Sequence, residues 1–424
     1  MPKLLDAAEL DMAALVRPGD TVAWGQGTGE PLTLSEALVA QRASLGGGVS
    51  LLLGTQFSRT VRPEHADHLR LTSFGGGGRN RALVAAGVLR LIPCHWSDTP
   101  RLFARGALKA DVVFVQASGA GPEDVLSLST VSAYMPAAMR HARVVVAELN
   151  EQAPWTFGTD PALMDRVDYV VRTARPLMEE APAPVGPMEQ AIAAHVGRYI
   201  EDGSTLQLGV GAIPDAVLAT LSDRRRLGVH SGVIGDRVVD LIEAGVVDNS
   251  AKPVDAGTTI TSLLFGTRRL FDFAHRNPAL RVESFPDTYA LDRITRMPRL
   301  VCLNSAIEVD LTGQLNTEIA GERHIGTVGA LGDVLRIARM MPDSTSIIAL
   351  PSATGDGSRS RIVSRLARGI ATSPRTDTDI VITEHGVAEL AGRPVDERAR
   401  RMIAIADPRH REALERAARE DGLI

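Results

Sequence analysis

Short apolar runs alternate with amphipathic stretches along the chain, and this alternation is the feature that most restricts its fold. Helical patterns such as Leu34–Ala43 and Ile213–Leu221 lie between many of the apolar runs. The runs are rich in β-branched and aliphatic residues, and we predict strands at Thr21–Trp24, Val49–Leu53, Asp111–Gln116, Arg143–Glu148, Tyr169–Val171, Thr205–Leu208, Gly228–His230, Leu300–Asn304, Ser346–Ala349 and Ile380–Thr383. This alternation is typical of βαβ units and predicts an α/β fold with largely parallel sheets.

The alternation occurs twice, on either side of a proline-rich segment. With 424 residues the chain is too long for one ordinary hydrophobic core, so two domains are expected. The segment Thr173–Met188 contains four prolines, three of them within Pro182–Pro187, and prolines interrupt both helices and strand ladders. A helical pattern over Glu189–Ile200 follows it. We therefore predict two open, mostly parallel α/β domains, residues 1–185 and residues 186–424.

The two halves also resemble each other weakly. In each half a strand leads into a Gly-x-Gly turn, a proline and a helix, over residues 22–31 and again over residues 206–215. If the domains face one another, the two turns lie near a shared cleft. The similarity leaves internal duplication and independent origin equally open.

Charge, hydropathy and cysteine content exclude several classes of protein. The net charge is −5 and the longest basic run is Arg224–Arg226, which argues against a nucleic-acid surface but allows a local basic pocket for phosphates. No apolar run reaches the roughly 18 residues of a membrane span, and Met1–Asp6 lacks a signal-peptide core, so we expect a cytoplasmic protein. The two cysteines, Cys94 and Cys302, form neither a disulfide framework nor a cysteine-based metal site.

Glycine-rich turns are the first candidate binding elements. In Gly25–Gly27 and Gly209–Gly211, backbone N–H groups can approach an anionic ligand at a helix start, although a tight turn is the favoured explanation of each motif taken alone. Neither completes Gly-x-Gly-x-x-Gly, because Glu30 and Pro214 occupy the last position, so a nicotinamide dehydrogenase is disfavoured. The run Gly75–Arg79 is either a phosphate or thioester cradle or a mobile loop.

Polar side chains at strand ends are the second group of candidates. Asn304 follows a buried-looking strand and can orient a carbonyl or a carboxylate, while Glu308 and Asp310 fit a structural role at least as well. His230 and Ser231 are neighbours on a strand and point in opposite directions, so a hydrogen-bonded histidine is favoured over a catalytic pair. Gly-x-Ser-x-Gly is absent at this point, and His141, His275, His385 and His410 show no metal-ligand spacing.

The run over residues 206–218 closely resembles the acetyl-CoA hydrolase/transferase family, and within it the 4-hydroxybutyrate CoA-transferase-like group. The resemblance extends over nearly the whole chain. Further motifs that fit the family pattern, in the right order, are Gly29–Pro31, Ser118 with Ser127-Leu128, Ala147–Asn150, Val238–Gly245, Asn304–Gly313, Ser346–Pro351, Ser360–Val363, Thr383–Gly386 and Glu397–Arg400.

The resemblance implies two open α/β domains with an active site between them, and transfer of CoA between carboxylic acids. In this family a glutamate attacks the acyl-CoA carbonyl to give an acyl anhydride and then a glutamyl-CoA thioester, while backbone N–H groups stabilise each oxyanion. It implies no permanently bound cofactor, a CoA thioester as substrate and a homodimer. By resemblance, Asn304 positions the reacting carboxylate, and the oxyanion-hole or CoA-binding residues are Val210, Gly211, Gly329, Gln26 and Arg361.

One departure from the family pattern changes the expected mechanism. The nucleophilic glutamate lies two residues after a histidine in a His-Thr-Glu-Met-like motif, and here that position is Gly232, after His230. Glycine has no side chain, so the anhydride and glutamyl-CoA steps cannot occur there. The paired glycines near Gly329 are also altered, because Ala330 replaces the second one.

Three explanations of this departure stay open. In the first, the missing carboxylate leaves room for water or another nucleophile, and Asp236, Glu308 or His230 is the general base for hydrolysis or acyl transfer. In the second, Glu308 or Asp236 replaces the lost carboxylate. In the third, the chain binds acyl-CoA without turnover. If the rest of the site is intact, Gly232→Glu is expected to create or raise CoA-transferase activity; the acyl group is not revealed by the sequence.

Overall fold

The computed structural model describes residues 2–119 and 125–424, which group into two compact units. The first unit consists of Met1–Ala181, Ile260–Thr288 and Arg323–Gly329, and the second of Pro182–Thr259, Tyr289–Glu322 and Ala330–Ile424. Two segments that follow the proline-rich region in sequence therefore cluster with the first unit. The division into domains at residue 185 stays a prediction.

Each of the ten predicted strands is present, with ends that differ by at most two residues. The strands are β1 Lys3–Leu5, β2 Thr21–Trp24, β3 Ser50–Leu53, β4 Arg70–Ser73, β5 Leu89–Leu91, β6 Val112–Ala117, β7 Val144–Asn150, β8 Tyr169–Thr173, β9 Thr205–Leu208, β10 Gly228–Val229, β11 Thr259–Thr261, β12 Leu280–Val282, β13 Leu300–Asn304, β14 Glu308–Asp310, β15 Leu315–Asn316, β16 Ile319–Ala320, β17 Arg323–His324, β18 Thr345–Ala349, β19 Ile362–Val363, β20 Ile380–Thr383 and β21 Gly386–Glu389.

The three predicted helices are also present, each beginning one or two residues earlier and ending two to four residues earlier than predicted. The helices are α1 Met12–Leu15, α2 Leu32–Ala40, α3 Asn80–Ala85, α4 Thr99–Ala104, α5 Met135–His141, α6 Pro187–Val196, α7 Ala212–Ala219, α8 Asp236–Glu243, α9 Arg268–Ala274, α10 Phe285–Thr288, α11 Leu291–Ile294, α12 Leu331–Arg339, α13 Val395–Ala404 and α14 Pro408–Glu420. Short 3₁₀ turns at Arg42–Ser44 and Gly197–Tyr199 replace the last predicted turns of α2 and α6.

The first unit is built on an eight-stranded parallel sheet with the order β1-β8-β7-β6-β2-β3-β4-β5. Every residue of β6 is buried, as expected for a central strand whose two faces are both covered by other elements. Apolar residues of α1 and α2 pack in one core with residues of this sheet, among them Trp24 of β2 and Phe114 of β6. The unit therefore has its own hydrophobic core.

The second unit has a six-stranded sheet with the order β10-β9-β13-β18-β20-β21. The first five strands are parallel, and β21 pairs antiparallel with β20. A smaller sheet with the order β15-β14-β19 lies within the same unit. A second core formed by α12, α13, α14 and these strands accompanies the sheet.

The strand order reverses once in each large sheet. In the first sheet the chain proceeds outwards from β2 through β3 to β5, and then returns to β6 on the other side of β2. In the second sheet it proceeds from β9 to β10 and then returns to β13 on the other side of β9. Open α/β sheets bind ligands outside the carboxyl ends of the strands at such a reversal, so these two points are where functional residues are expected.

The proline-rich segment ends where α6 begins, for a local reason. Pro187 occupies the first helical position, where its missing N–H costs nothing, and the Glu189 carboxylate accepts the backbone N–H of Gly186 at 2.9 Å. Between β8 and α6 the described residues contain no helix or strand. In the described ranges of the chain, no helix combines the length and apolar character that a bilayer crossing requires.

Candidate active site

The reversal point of the second sheet contains two of the predicted functional elements. The turn Gly209–Gly211 follows β9, and Asn304 ends β13, the strand hydrogen-bonded to β9. The backbone N–H of Gly209 donates to Leu303 at 3.1 Å, which fixes the turn against the end of β13. The structure thus brings Val210, Gly211 and Asn304 together at the carboxyl edge of this sheet.

The backbone of this turn has a conformation that favours glycine. Gly211 has φ +124° and ψ −176°, a region that is almost exclusive to glycine, and a Cβ built on it meets nothing within 4 Å. Glycine is therefore required here by conformation rather than by close packing. The same turn leads directly into α7, so its N–H groups belong to the positive end of that helix.

Two N–H groups of this turn are available to a ligand. Among the residues that the structure describes, neither Val210 nor Gly211 has an acceptor for its backbone N–H. The Val210 side chain is 48% exposed, which is unusual for a large aliphatic residue beside a buried strand. Adjacent N–H donors at a helix start can stabilise an oxyanion.

Asn304 is held by a neighbouring strand. Its Nδ2 donates to Oε1 of Gln207, a buried residue of β9, at 3.1 Å. Gln207 in turn donates from Nε2 to the Leu208 carbonyl at 3.2 Å. This chain of hydrogen bonds fixes the orientation of the Asn304 amide. Because Nδ2 is directed towards Gln207, the amide oxygen Oδ1 is directed away from Gln207.

The loop after β10 is fastened to the end of β9 by a buried serine. Ser231 Oγ accepts the Leu208 N–H at 3.0 Å, and its hydroxyl proton faces the carbonyl oxygens of Leu208 and Val233 at 3.0 and 2.9 Å. These bonds set the position of the following residue, Gly232, beside the reversal point. The Ser231 side chain therefore has a structural role. The sequence likewise favoured a structural role over a catalytic pair for His230 and Ser231.

Gly232 lies against the side chain of Tyr289. A Cβ built on Gly232 would be 2.1 Å from the tyrosine Oη and 3.1 Å from Cζ, and the Gly232 N–H donates a hydrogen bond to that hydroxyl. The expectation that the missing carboxylate leaves open room beside Gly232 is therefore wrong at this point, because the hydroxyl occupies the volume where a side chain would begin. Burial raises the pKa of Tyr289 well above its ordinary value, so the phenol stays protonated.

The predicted general bases lie on three different elements. His230 is fully buried at the end of β10, where its backbone N–H donates to Leu206 at 3.0 Å. Asp236 is a buried residue in the first turn of α8, where the helix dipole favours a carboxylate. Glu308 begins β14 and its Oε1 accepts a hydrogen bond from Asn316 Nδ2 at 3.0 Å.

Arg361 lies beside the small sheet of the second unit. Its backbone N–H donates to Ser352 at 2.8 Å, and its carbonyl accepts the N–H of Val309 at 2.9 Å. The side chain is half-buried, and burial lowers the pKa of its guanidinium. Its predicted contact with CoA stays a prediction.

Two of the predicted residues, Gln26 and Gly329, belong to the first unit. Gln26 follows β2 at the reversal point of the first sheet, and its Oε1 accepts the Thr55 N–H at 3.1 Å. Gly329 has φ +60°, and its carbonyl accepts the Trp96 N–H at 3.2 Å. The predicted grouping of Gly329 with Val210 and Gly211 in one oxyanion hole stays a prediction.

The sequence did not single out the buried carboxyl group of Glu30. Its oxygens accept the backbone N–H groups of Phe57 and Ser58 at 2.5 and 3.2 Å and the Ser58 hydroxyl at 2.5 Å. Burial of the carboxyl group, which these hydrogen bonds only partly offset, raises the pKa of Glu30 from 4.5 to about 7. Its position in a Gly-Glu-Pro turn after β2 was the available signal, but burial is not visible in a sequence.

The glycine run after β4 is explained by packing within the first unit. A Cβ on Gly75 would lie 2.5 Å from Cβ of Thr327, and one on Gly76 would lie 2.5 Å from the His324 carbonyl oxygen. The Gly76 N–H also donates to Gly326 at 2.9 Å. The segment of residues 324–327 approaches Gly75 and Gly76 so closely that a larger residue would not fit at either position. The sequence had suggested a ligand cradle or a mobile loop here, and neither explanation included this packing.

Comparison with known proteins decides the family. The N-terminal domain of the acetyl-CoA hydrolase/transferase family matches residues 2–178, and its C-terminal domain matches residues 266–418. The chain belongs to this family. A 4-hydroxybutyrate coenzyme A transferase of Clostridium kluyveri is 35% identical over 401 residues, which cover 93% of this chain and 92% of that protein.

Two solved structures have the same fold as this chain. RipA from Yersinia pestis superposes with a TM-score of 0.92 at 28% identity, covering 100% of this chain and 98% of that chain. A 4-hydroxybutyrate CoA-transferase from Porphyromonas gingivalis has a TM-score of 0.81 at 30% identity, covering 99% and 98%. The predicted family and α/β fold class are confirmed, as is the prediction of an enzyme from a family of CoA transferases and acetyl-CoA hydrolases.

Proposed function

We propose that the chain processes acyl-CoA thioesters by direct acyl transfer to water or to an acceptor acid, without a glutamyl-CoA intermediate. The observation that carries this proposal is the pair formed by Gly232 and Tyr289. The position of the attacking carboxylate has no side chain, and a protonated phenol fills the volume where one would begin. The relatives named as CoA transferases support acyl-CoA and a carboxylic acid as the substrate classes.

Retained backbone donors support chemistry at the same edge of the sheet. The Val210 and Gly211 N–H groups lie at the positive end of α7 and would stabilise the oxyanion formed when a nucleophile adds to the thioester carbonyl. In hydrolysis, water forms the new C–O bond, the C–S bond breaks, and the CoA thiolate takes up a proton. Such donors are worth on the order of 10²–10³ in rate each.

Transfer to an acid can proceed without a covalent enzyme intermediate. The acceptor carboxylate attacks the thioester and expels CoA thiolate, which gives a mixed anhydride of the two acids. The thiolate then attacks the other carbonyl of this anhydride and releases the donor acid. Both substrates are bound at once, so initial-rate plots are expected to intersect rather than run parallel as in a ping-pong reaction.

Asn304 and three titratable groups complete the proposed site. The fixed Asn304 amide would orient the acceptor, and His230, Asp236 or Glu308 would accept the proton of an attacking water. Alanine variants of these three residues identify the base, which is the one whose loss removes hydrolysis while acyl-CoA binding stays. Gln26, Gly329 and Arg361 stay proposed CoA-binding residues, and a cytoplasmic homodimer stays the expected state.

Incubation with acyl-CoA in the presence and absence of an acceptor acid tests the proposal. Free thiol without acceptor supports hydrolysis, and label exchange into a second acid with intersecting kinetics supports direct transfer. Parallel kinetics would contradict the proposal. Tight binding without either product would favour a non-catalytic acyl-CoA-binding protein, the second candidate, which the filled volume beside Gly232 also fits.

A further inference from the structure

The first unit contains an arginine-lined cavity of about 690 Å³. Its lining comes from α2, from the segments that follow the neighbouring parallel strands β3 and β4, and from Met178 after β8. The cavity therefore lies beyond the carboxyl ends of these strands. Ligand cavities of proteins typically have about 300–1,000 Å³. The cavity is large enough for a nucleotide-sized ligand and is open to solvent.

Four arginines contribute to this cavity, and two of them keep their charge uncompensated. Arg42 pairs with Asp67 at 2.8 Å and Arg62 with Glu64 at 3.0 Å. Within the described part of the chain, Arg59 has no ion-pair or hydrogen-bond partner for its side chain. Arg79 donates from Nε to the Phe57 carbonyl at 3.4 Å, which orients the guanidinium without neutralising it.

The acidic and titratable neighbours do not cancel this charge. Glu36, the acidic side chain in the lining, is paired with Arg175 at 2.7 Å. Burial lowers the pKa of His65, so this histidine adds no charge at neutral pH. The cavity is therefore cationic through Arg59 and Arg79, and guanidinium groups bind phosphate oxygens through paired hydrogen bonds.

The remaining wall of the cavity is apolar. Leu32, Val39, Phe57 and Met178 contribute it, and Phe57 packs against Phe265 with ring centroids 4.9 Å apart. The Glu30 carboxylate holds the Phe57 and Ser58 N–H groups, so the loop that carries Arg59 begins from a fixed point. An apolar wall facing two uncompensated guanidinium groups suits a ligand with phosphates and a flat or aliphatic portion.

We propose that this cavity is a binding site for the phosphate groups of a nucleotide-type ligand, with Arg59 and Arg79 as the phosphate-binding side chains. CoA itself and a free nucleotide are the two sources of that chemistry. The assignment of CoA as the ligand rests on the proposed function, in which acyl-CoA is the substrate. The nucleotide end of CoA carries three phosphate groups, which are the groups that this cavity would bind.

Calorimetric titration of the full chain with CoA, dephospho-CoA, ADP and inorganic phosphate tests the site. The Arg59→Ala/Arg79→Ala variant is expected to weaken binding of the phosphate-bearing probe by about tenfold per arginine. The matched control is Arg81→Ala, an exposed arginine of α3 outside the cavity lining, which is expected to leave affinity within about twofold. Affinity should also fall with added salt in the wild-type chain.

Each result has a defined consequence. Arginine-dependent binding of CoA that weakens for dephospho-CoA supports CoA as the ligand, and equal arginine-dependent binding of ADP supports a free nucleotide. Wild-type affinity in the double variant, or no binding of any probe, overturns the site. Turnover of an S-acyl pantetheine, which lacks the nucleotide phosphates, tests the proposed function separately, so failure of one does not imply failure of the other.

Discussion

One methyl group added at position 232 probes the arrangement on which the proposed mechanism depends. A Cβ there would be 2.1 Å from the Tyr289 hydroxyl oxygen, whereas an ordinary contact is about 3.5 Å, so the hydroxyl must move by about 1.4 Å. Tyr289 is only 5% exposed, and this movement displaces packed neighbours and breaks its hydrogen bond with the Gly232 N–H. We expect Gly232→Ala to cost roughly 2–4 kcal/mol of folding free energy.

A double-mutant cycle with Tyr289→Phe isolates the cause. Without the hydroxyl, the nearest ring atom to the new Cβ is Cζ at 3.1 Å, a distance that a shift of a few tenths of an ångström relieves. Gly232→Ala should therefore cost less in the Tyr289→Phe background, with a coupling energy of about 1 kcal/mol or more. Urea denaturation of the four proteins measures this difference.

The control for this cycle is Gly355→Ala, since a Cβ built on Gly355 meets nothing within 4 Å. It should change the unfolding free energy by less than about 1 kcal/mol. An equal cost of Gly232→Ala in both backgrounds, or no cost in either, would refute the idea that the hydroxyl fills this space. The same geometry changes the expectation for Gly232→Glu, which should form a glutamyl-CoA adduct only when combined with Tyr289→Phe.

Three further predictions concern Glu30, Ser231 and Gly211. The raised pKa of Glu30 means that the folded chain binds the carboxyl proton more tightly than the unfolded chain, so the stabilisation from Glu30 is full below about pH 4.5 and is lost as pH rises through about 7. Relative to Glu30→Gln, the wild type should lose about 3 kcal/mol of unfolding free energy across this range, measured by denaturation at several pH values. A difference that stays constant with pH would contradict the burial argument. Ser231→Ala should lower the unfolding free energy in urea by roughly 1–3 kcal/mol, because it leaves the buried Leu208 N–H without its hydrogen-bond acceptor. The control Ser222→Ala, at an exposed serine, should be nearly neutral. Equal effects of the two substitutions would show that the Ser231 hydrogen bonds are unimportant. Gly211→Ala should cost roughly 1–3 kcal/mol and lower acyl-CoA turnover, while unchanged stability and turnover would contradict the need for its positive φ.

The fold followed from the sequence wherever apolar character marked a strand. All ten predicted strands carry buried aliphatic residues, and the second Gly-x-Gly turn was placed correctly between β9 and α7. The edge strands β1 and β21 were missed because they are short and partly exposed, as in Gly386–Glu389, where only Ala388 is buried. Edge strands lack the continuous apolar run that marks a strand buried on both faces.

The candidate site was only partly accessible to sequence reasoning. Gly232 was found by its departure from a family motif, but the hydroxyl that fills its space comes from a distant residue, Tyr289, and no local pattern connects the two. The raised pKa of Glu30 depends on burial, and the cationic cavity around Arg59 depends on which arginines find carboxylate partners. Such properties arise from tertiary packing, which the order of residues does not display.

Intact-protein mass spectrometry during turnover tests the central claim most directly. The chain is mixed with acyl-CoA and an acceptor acid, quenched while product is forming, and weighed. We expect product without any mass increase corresponding to bound CoA, because residue 232 has no carboxylate to carry it. A protein-bound CoA thioester that forms and decays at the rate of turnover would contradict direct transfer and place the missing carboxylate elsewhere in the chain.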